Sequence, residues 1–225
     1  MGITLTEINK AEALRYMGYG RNKPDDVTMQ NIIECEKALL DAIKPEYVYR
    51  IFDLNRTNDG IEILGTSLFL TGNDVAKHLE GCNKAALLAA TVSGGADRLI
   101  RSFAAYDMAK SVITDCLASA AVEQVCNEVD KIVREQSEQN YQTWRFSPGY
   151  GDLPLELQGE FLEVLNAGKR IGLSVLENCM MVPTKSVTAI IGLSDKEISK
   201  GKRGCACCNM RDRCAYRIRG DHCGF

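Results

Sequence analysis

The longest helical pattern in the chain, residues 105–135, constrains the fold more than any other feature. Its apolar residues recur at the spacing of a helix with one buried side: Val112, Ile113, Cys116, Leu117, Ala120, Val125, Val129 and Ile132. The middle, residues 116–122, is rich in small side chains and lets another element approach closely. Glu123 lies one turn beyond Ser119, so its carboxylate either borders that surface or, like most helix glutamates, faces solvent.

The rest of the chain mixes helical and strand patterns, which indicates an α+β protein. Asp25 and Asp26 are candidate caps for a helix over 27–42, and Asn73 or Asp74 for a helix over 75–90. The other patterns predict helices over 8–17, 96–103 and 155–167, and strands over 47–54, 61–64, 173–182 and 186–193.

Composition excludes several classes of protein. The 225 residues are 45% hydrophobic and 25% charged, which is ordinary for a globular chain. The net charge of −3 argues against a nucleic-acid partner. No apolar run approaches the length of a membrane-spanning helix, and the N-terminus lacks the features of a signal peptide. We therefore expect a cytoplasmic protein without a membrane partner.

The segment Asn140–Pro154, NYQTWRFSPGYGDLP, is the strongest candidate for a binding loop. It holds the only tryptophan, and Pro148–Gly149 is a strong turn signal. Backbone N–H groups in a tight turn can point at a ligand, and Arg145 offers a planar fork for a carboxylate or phosphate. The plainer interpretation is a surface turn with an aromatic plug.

Half of the ten cysteines crowd into the last 21 residues, within a polar and basic tail over 195–225. Cys205, Cys208, Cys214 and Cys223 could supply four thiolates to Zn²⁺ or to an iron–sulfur cluster. A redox-active thiol tail and an inert tail are the alternatives. An iron–sulfur cluster would carry electrons, whereas zinc would only hold the tail together.

The loop and its surroundings resemble a known family. Asn140-Tyr141-Gln142, Arg145, Pro148-Gly149-Tyr150 and Pro154 resemble the signature of the activation domain of vitamin B12-dependent methionine synthase. Glu177–Val187, ENCMMVPTKSV, and the Ala-rich helix with Glu123 fit as well. The resemblance spans roughly residues 47–193. It divides the chain into an N-terminal helical segment (1–44), an activation-like domain (45–194) and the Cys-rich basic tail (195–225).

The resemblance implies a single α+β domain in which mixed helices surround a twisted antiparallel sheet. It also implies S-adenosylmethionine binding, with Arg145 on the methionyl carboxylate and Glu123 near the cationic end. Backbone groups of Ser147, Gly149 and Tyr150 would line the ligand.

The family's role is reactivation of methionine synthase. A reduced flavodoxin or ferredoxin supplies an electron to cob(II)alamin, and S-adenosylmethionine then methylates the cobalamin. Here we expect a stand-alone activation protein, with the cobalamin carried by a separate methionine synthase or other corrinoid protein.

Two other functions fit the same residues. An iron–sulfur electron-transfer protein could activate corrinoid methyltransferases without S-adenosylmethionine, and a non-catalytic module could simply bind a corrinoid protein. An ordinary methyltransferase is disfavoured, because no strand is followed by a Gly-rich loop of the Rossmann type.

Overall fold

A computed structural model describes residues 2–19, 22–198 and 212–214. Short runs of helices and short runs of antiparallel strands follow one another along the chain, as expected for an α+β protein. The helices are α1 (Lys10–Tyr16), α2 (Asp26–Ala42), α3 (Asn73–His78), α4 (Gly94–Ala104), α5 (Met108–Gln136), α6 (Gln158–Leu165) and α7 (Ala167–Ile171). The strands are β1 (Glu46–Arg56), β2 (Ile61–Ile63), β3 (Phe69–Leu70), β4 (Lys84–Thr91), β5 (Tyr141–Gln142), β6 (Ser174–Val175), β7 (Met181–Val182) and β8 (Ser186–Ser194).

Six of these strands form one antiparallel sheet in the order β3-β2-β1-β4-β8-β5, and β6 pairs with β7 in a separate hairpin. Successive residues of a strand point to opposite faces. Accordingly, Tyr47, Tyr49 and Ile51 of β1 join the core with α1, α2, α4 and α5, and Val48 and Phe52 join the core with α3, α6 and α7. The alternation of side chains along β1 thus divides the strand between the two cores.

The helix predicted over 75–90 is wrong in its second half. The helical turn ends at His78, Gly81 adopts φ +78°, and β4 begins at Lys84. From Ala85 to Thr91 every residue of β4 is buried, because β4 lies between β1 and β8 with helices on both faces. A strand buried on both faces has no alternation of apolar and polar residues, so its pattern resembles that of a buried helix.

Two smaller predictions are also corrected. The strand predicted over 173–182 is a hairpin, whose turn places Cys179 at φ +63°. The cap predicted for α3 at Asn73 or Asp74 comes from elsewhere in the chain: Asp152 accepts hydrogen bonds from both of those backbone N–H groups. In contrast, Asp25 caps α2 as predicted, accepting a bond of 2.7 Å from the Thr28 N–H.

The long helix α5 confirms the principal pattern in the sequence and contacts α1, α2, α4 and the sheet. Of its predicted apolar stripe, Val112 is exposed, whereas the other members are buried or partly buried against the core. No helix within the described ranges has the length and apolar character needed to cross a membrane.

Candidate functional site

In the middle of α5, one side of an otherwise buried stretch of helix remains open. Between Ser111 and Cys126, every side chain is buried except five. They are Val112, Asp115, Ser119, Glu123 and Gln124. The spacing of 112, 115, 119 and 123 places four of them along one side of the helix. We call Asp115, Ser119, Glu123, Asn127 and Asp130, which continue this spacing, the α5 stripe.

Arg145 reaches the α5 stripe from the loop that follows β5. Its Nη2 donates to Glu123 Oε2 at 2.9 Å and to Asn127 Oδ1 at 3.1 Å, and its Nη1 donates to Asp130 Oδ2 at 2.6 Å. The Arg145 side chain is only 14% exposed. The sequence predicts Arg145 and Glu123 for this site, and the structure adds to them an acid, Asp130, that sequence reasoning did not include.

This cluster carries an excess of negative charge, since one guanidinium faces two carboxylates. Burial by itself would lower the pKa of Arg145, but the neighbouring Asp130 and Glu123 carboxylates raise it, so the guanidinium stays charged. The cluster therefore combines a fixed cation, suited to a carboxylate, with acid groups suited to a second, positively charged group.

The loop holding Arg145 is fixed to the edge of the sheet. The Thr143 N–H donates to Gly192 O at 2.9 Å, and Phe146 exchanges backbone hydrogen bonds with Ile190 at 2.9 and 2.7 Å. The Phe146 side chain joins the core on the α6 face of the sheet, whereas Arg145 turns to α5 on the opposite face. Backbone hydrogen bonding to β8 therefore determines that the Arg145 side chain points toward α5.

The Pro148–Gly149 turn is held by hydrogen bonds within its own loop. Gly149 adopts φ +88°, its N–H donates to Leu153 O at 2.9 Å, and the Tyr150 N–H donates to Ser147 O at 3.0 Å. The backbone donors of Gly149 and Tyr150, predicted to line a ligand, therefore bond within the loop in this structure. The loop contributes a rigid shape and the exposed ring of Tyr150, which is 54% accessible.

Asp152 locks the far end of the loop onto α3. Its carboxylate accepts from the N–H of Asn73 at 2.6 Å and from that of Asp74 at 3.0 Å. The contact is so close that a Cβ on Gly72 would lie 2.4 Å from Asp152 Oδ1, and one on Gly151 would lie 2.3 Å from Asp74 Oδ2. The two glycines permit this approach.

Aromatic rings fill the space between α3 and the loop. His78 stacks on Phe146 at 4.9 Å, meets the edge of Trp144 at 4.6 Å, and its Nε2 lies 2.9 Å from the Thr143 hydroxyl. Phe146 in turn contacts Tyr150 edge-on at 5.9 Å. This arrangement supports the aromatic-plug interpretation of the loop, and it coexists with the arginine cluster on the other face of the sheet.

Two tyrosines lie close enough to Glu123 to sense its charge. Burial raises the pKa of Tyr16, in α1, to about 12, and the Glu123 charge adds to the shift. Partial burial and the Glu123 charge likewise raise the pKa of Tyr150. Tyr16 is a residue that sequence reasoning missed, since only the docking of α1 on α5 brings it there.

A second cation, Lys185, lies two helical turns along the α5 stripe. Its Nζ is 2.8 Å from Asp115 Oδ1 and donates to Ser119 Oγ at 3.0 Å, and its side chain is 15% exposed. The sequence analysis gave Lys185 no role. One sequence pattern could have indicated the Lys185 contacts. It is the series of polar residues at 115, 119, 123, 127 and 130 in an otherwise apolar helix.

The predicted metal centre falls almost wholly outside the described residues. Cys205, Cys208 and Cys223 lie there, and Cys214, in the segment 212–214, is a free cysteine. Among the described residues, no group of three or more His, Cys, Asp or Glu side chains could hold a metal ion. The four-cysteine site stays a prediction.

Comparison with known proteins first identifies the class of fold. The chain is similar to the crystal structure of the MetH reactivation domain bound to AdoHcy, with a TM-score of 0.65 and 18% sequence identity, over 96% of this chain and 82% of that one. At this identity the likeness establishes the α+β fold alone. A search of curated proteins finds no match.

The family follows from the sequence profile. The profile of the vitamin B12 dependent methionine synthase activation domain matches residues 70–197, more than half of the chain. The protein belongs to this activation-domain family. The match contains Arg145, Glu123, Asp130 and Lys185, and therefore the whole α5 stripe with its two cations.

Proposed function

We propose that the chain binds S-adenosylmethionine along the α5 stripe and supports reductive methylation of cob(II)alamin carried by a partner methionine synthase or other corrinoid protein. A reduced flavodoxin or ferredoxin would supply the electron. Family membership supports the reaction class. The observation that carries the binding site is Arg145, a nearly buried guanidinium held between Glu123 and Asp130 on the open side of a core helix.

The chemistry of the ligand matches this cluster. S-adenosylmethionine carries a carboxylate, an ammonium and a sulfonium. Glu123 Oε2 now occupies a place on Arg145 Nη2 where the ligand carboxylate would bind. On binding, the ligand carboxylate would take that place, and Glu123 would accept from the ligand ammonium instead. Each charge exchanges one partner for another, so none is left buried and unpaired.

The excess of negative charge in the cluster also favours binding of the ligand's positively charged sulfonium. Asp130 keeps its bond to Arg145 Nη1 during this exchange, and it holds the guanidinium in position. The exposed ring of Tyr150 lies near enough to Glu123 for that charge to affect its pKa, and aromatic surface attracts cationic groups.

The methyl transfer needs no nucleophile from this chain. The reduced cobalamin of the partner would supply the nucleophile that accepts the methyl group, and the methyl donor would leave as a neutral thioether. The residues of the stripe bind and orient the donor. Burial raises the pKa of the Cys126 thiol beside Arg145 and keeps it protonated, so it does not compete for the methyl group.

Calorimetric titration with S-adenosylmethionine tests the proposed site. We expect saturable binding by the wild type and a loss of about 10- to 100-fold in affinity for Arg145→Ala, the usual worth of a hydrogen bond between charged groups. Arg50→Ala is the matched control, because Arg50 lies over Phe52 and bonds Val164 O on the opposite face of the sheet. Wild-type protein that does not bind, or equal losses in both variants, would refute the proposed site.

Reconstitution tests the proposed reaction. The chain is mixed anaerobically with a cobalamin-loaded methionine synthase fragment that lacks an activation domain, a reduced flavodoxin and S-adenosylmethionine. We expect the visible spectrum of cob(II)alamin to convert to that of methylcobalamin only when the chain is present. Conversion at the same rate without the chain, or with Arg145→Ala, would contradict the proposal.

A further inference from the structure

We propose that the outer edge of β1 is a docking site for an extended segment of a partner polypeptide, which would pair with it as an added strand. The outer edge is the side of β1 away from β4, at Tyr49 and Ile51. The partner segment would carry apolar residues at two alternate positions and an acidic residue between them. This edge lies outside the α5 stripe and outside the family match, which begins at residue 70.

The two sides of β1 are paired to different extents. On one side, β4 pairs with residues 46–53, whereas on the outer side β2 pairs only with residues 54–56. The chain's own N-terminus takes the beginning of the outer side, where Gly2 forms an antiparallel bridge with Glu46 and the Ile3 N–H donates to Pro45 O at 3.1 Å. Within the described ranges, no strand pairs with the outer side of residues 48–52.

The backbone of β1 presents hydrogen-bonding groups along this open stretch. In an antiparallel strand, the N–H and C=O groups of alternate residues point to opposite sides. Asp53 O accepts from the Leu64 N–H on the outer side, and Tyr49 and Ile51 share that direction because they are four and two residues away. Two donors and two acceptors on β1 are therefore available to an added strand.

The side chains along the edge determine the chemistry of the segment. Residues opposite Tyr49 and Ile51 would lie on the α5 face of the sheet, where these two side chains pack against the core, so apolar residues suit both positions. A residue opposite Arg50 would lie on the other face, beside an exposed arginine whose Nη1 donates to Val164 O at 3.1 Å. Opposite charges facing each other across two strands are stabilising, which favours an acid there.

A second copy of the chain fits this edge poorly. Two copies related by a twofold axis would pair antiparallel. Because the N-terminus occupies the edge at Glu46 and β2 begins beside Asp53, the register that fits between them pairs Tyr49 of one copy with Ile51 of the other. That register is centred on Arg50 and places two arginines directly opposite each other, which is destabilising. Charged residues on exposed edges commonly prevent such self-pairing.

Amide hydrogen exchange, followed by NMR on the full chain, tests whether the edge is open. We expect the amides of Tyr49 and Ile51 to exchange at least about tenfold faster than those of Val48 and Arg50, whose N–H groups point to β4. Equal protection of all four amides would show that the edge is already covered and would refute the docking site.

A capped synthetic peptide of about seven residues is the probe for the partner segment. It carries two valines separated by one glutamate, with threonines on either side. Titrated into the labelled wild type, it should cause saturable shifts and slower exchange at the amides of Tyr49 and Ile51. The same peptide with both valines N-methylated cannot donate to the outer carbonyl groups of β1 and should not bind. Equal binding of the two peptides, or shifts confined to another surface, would contradict strand addition.

Arg50→Glu tests the preference for an acidic segment. The wild type should bind the glutamate peptide about five- to tenfold more tightly than a peptide with lysine at that position, and Arg50→Glu should reverse the order. Arg101→Glu is the matched control, because Arg101 is an exposed arginine of α4, which packs on α5 and α2, and it should keep the wild-type order. Equal affinities in the wild type, or the same change in both variants, would refute the acidic segment.

Light scattering identifies the remaining occupant. If the wild type dimerises as its concentration rises, and the amides of Tyr49 and Ile51 become protected at the same time, a second copy occupies the edge and the partner assignment is wrong. A monomer with an open edge and the expected peptide preference supports it. These measurements do not use S-adenosylmethionine, so their outcome is independent of the function proposed above.

Discussion

Asp152 offers a sharp test of whether the loop is preorganised by its attachment to α3. Replacing Asp152 with alanine removes the acceptor of two backbone N–H groups, at 2.6 and 3.0 Å. A side-chain cap contributes about 0.5–2 kcal/mol, and we take about 1.5 kcal/mol for this doubly bonded one. For a chain of this size each kcal/mol lowers the melting temperature by about 2–4 °C, so we expect a drop of about 3–6 °C.

The effect on binding is the more informative result. Without the Asp152 bonds, the loop between Arg145 and Leu153 is attached mainly at its β8 end, and ordering it would oppose ligand binding. We expect affinity for S-adenosylmethionine to fall by about tenfold by calorimetry. Asp25→Ala is the control, because Asp25 caps α2 through Thr28 outside the loop and should lower stability without changing affinity. Equal affinity losses in the two variants, or none in Asp152→Ala, would refute a preorganised loop.

Two further predictions concern packing and pH. Gly95→Ala should destabilise the protein by about 3 kcal/mol or prevent its folding, since the new Cβ would lie 1.8 Å from Ala42 O. Gly94→Ala is the control and should lower the free energy of unfolding by less than about 1 kcal/mol in chemical denaturation, because its Cβ meets only the end of a flexible arginine at 3.3 Å. Similar losses of stability in the two variants would show that α4 does not pack this closely on α2. The pKa of Tyr16 is about 12 in the folded chain and 10.0 without structure, so the folded state keeps its proton longer and stability should fall as pH rises from 10 to 12. Tyr16→Phe should reduce that slope in alkaline unfolding, and an unchanged slope would contradict the burial of Tyr16.

The sequence predicts features that depend on local pattern. The bounds of α5 follow within three residues from apolar periodicity, and the turn at Pro148–Gly149 follows from turn chemistry. The strand β4 could not be predicted in this way, because its apolar residues reflect burial on both faces, which is a property of the assembled sheet.

The site shows the same division between local and tertiary information. The sequence predicts that Arg145 and Glu123 belong to one site, and the structure brings their side chains into direct contact, which depends on where the loop crosses α5. Asp130 and Lys185 join the site only through tertiary packing. Asp130 lies 15 residues before its partner Arg145, and Lys185 lies 66 residues after its partner Ser119. The regular spacing of polar residues along α5 is the one local signal for the stripe that the sequence contains.

A crystal structure of the chain with S-adenosylmethionine or S-adenosylhomocysteine tests the central claim most directly. We expect the ligand carboxylate within hydrogen-bond distance of Arg145, Glu123 moved from Arg145 Nη2 to the ligand ammonium, and Asp130 still bonded to Nη1. A ligand bound away from the α5 stripe, with the Arg145–Glu123 pair intact, would contradict the account.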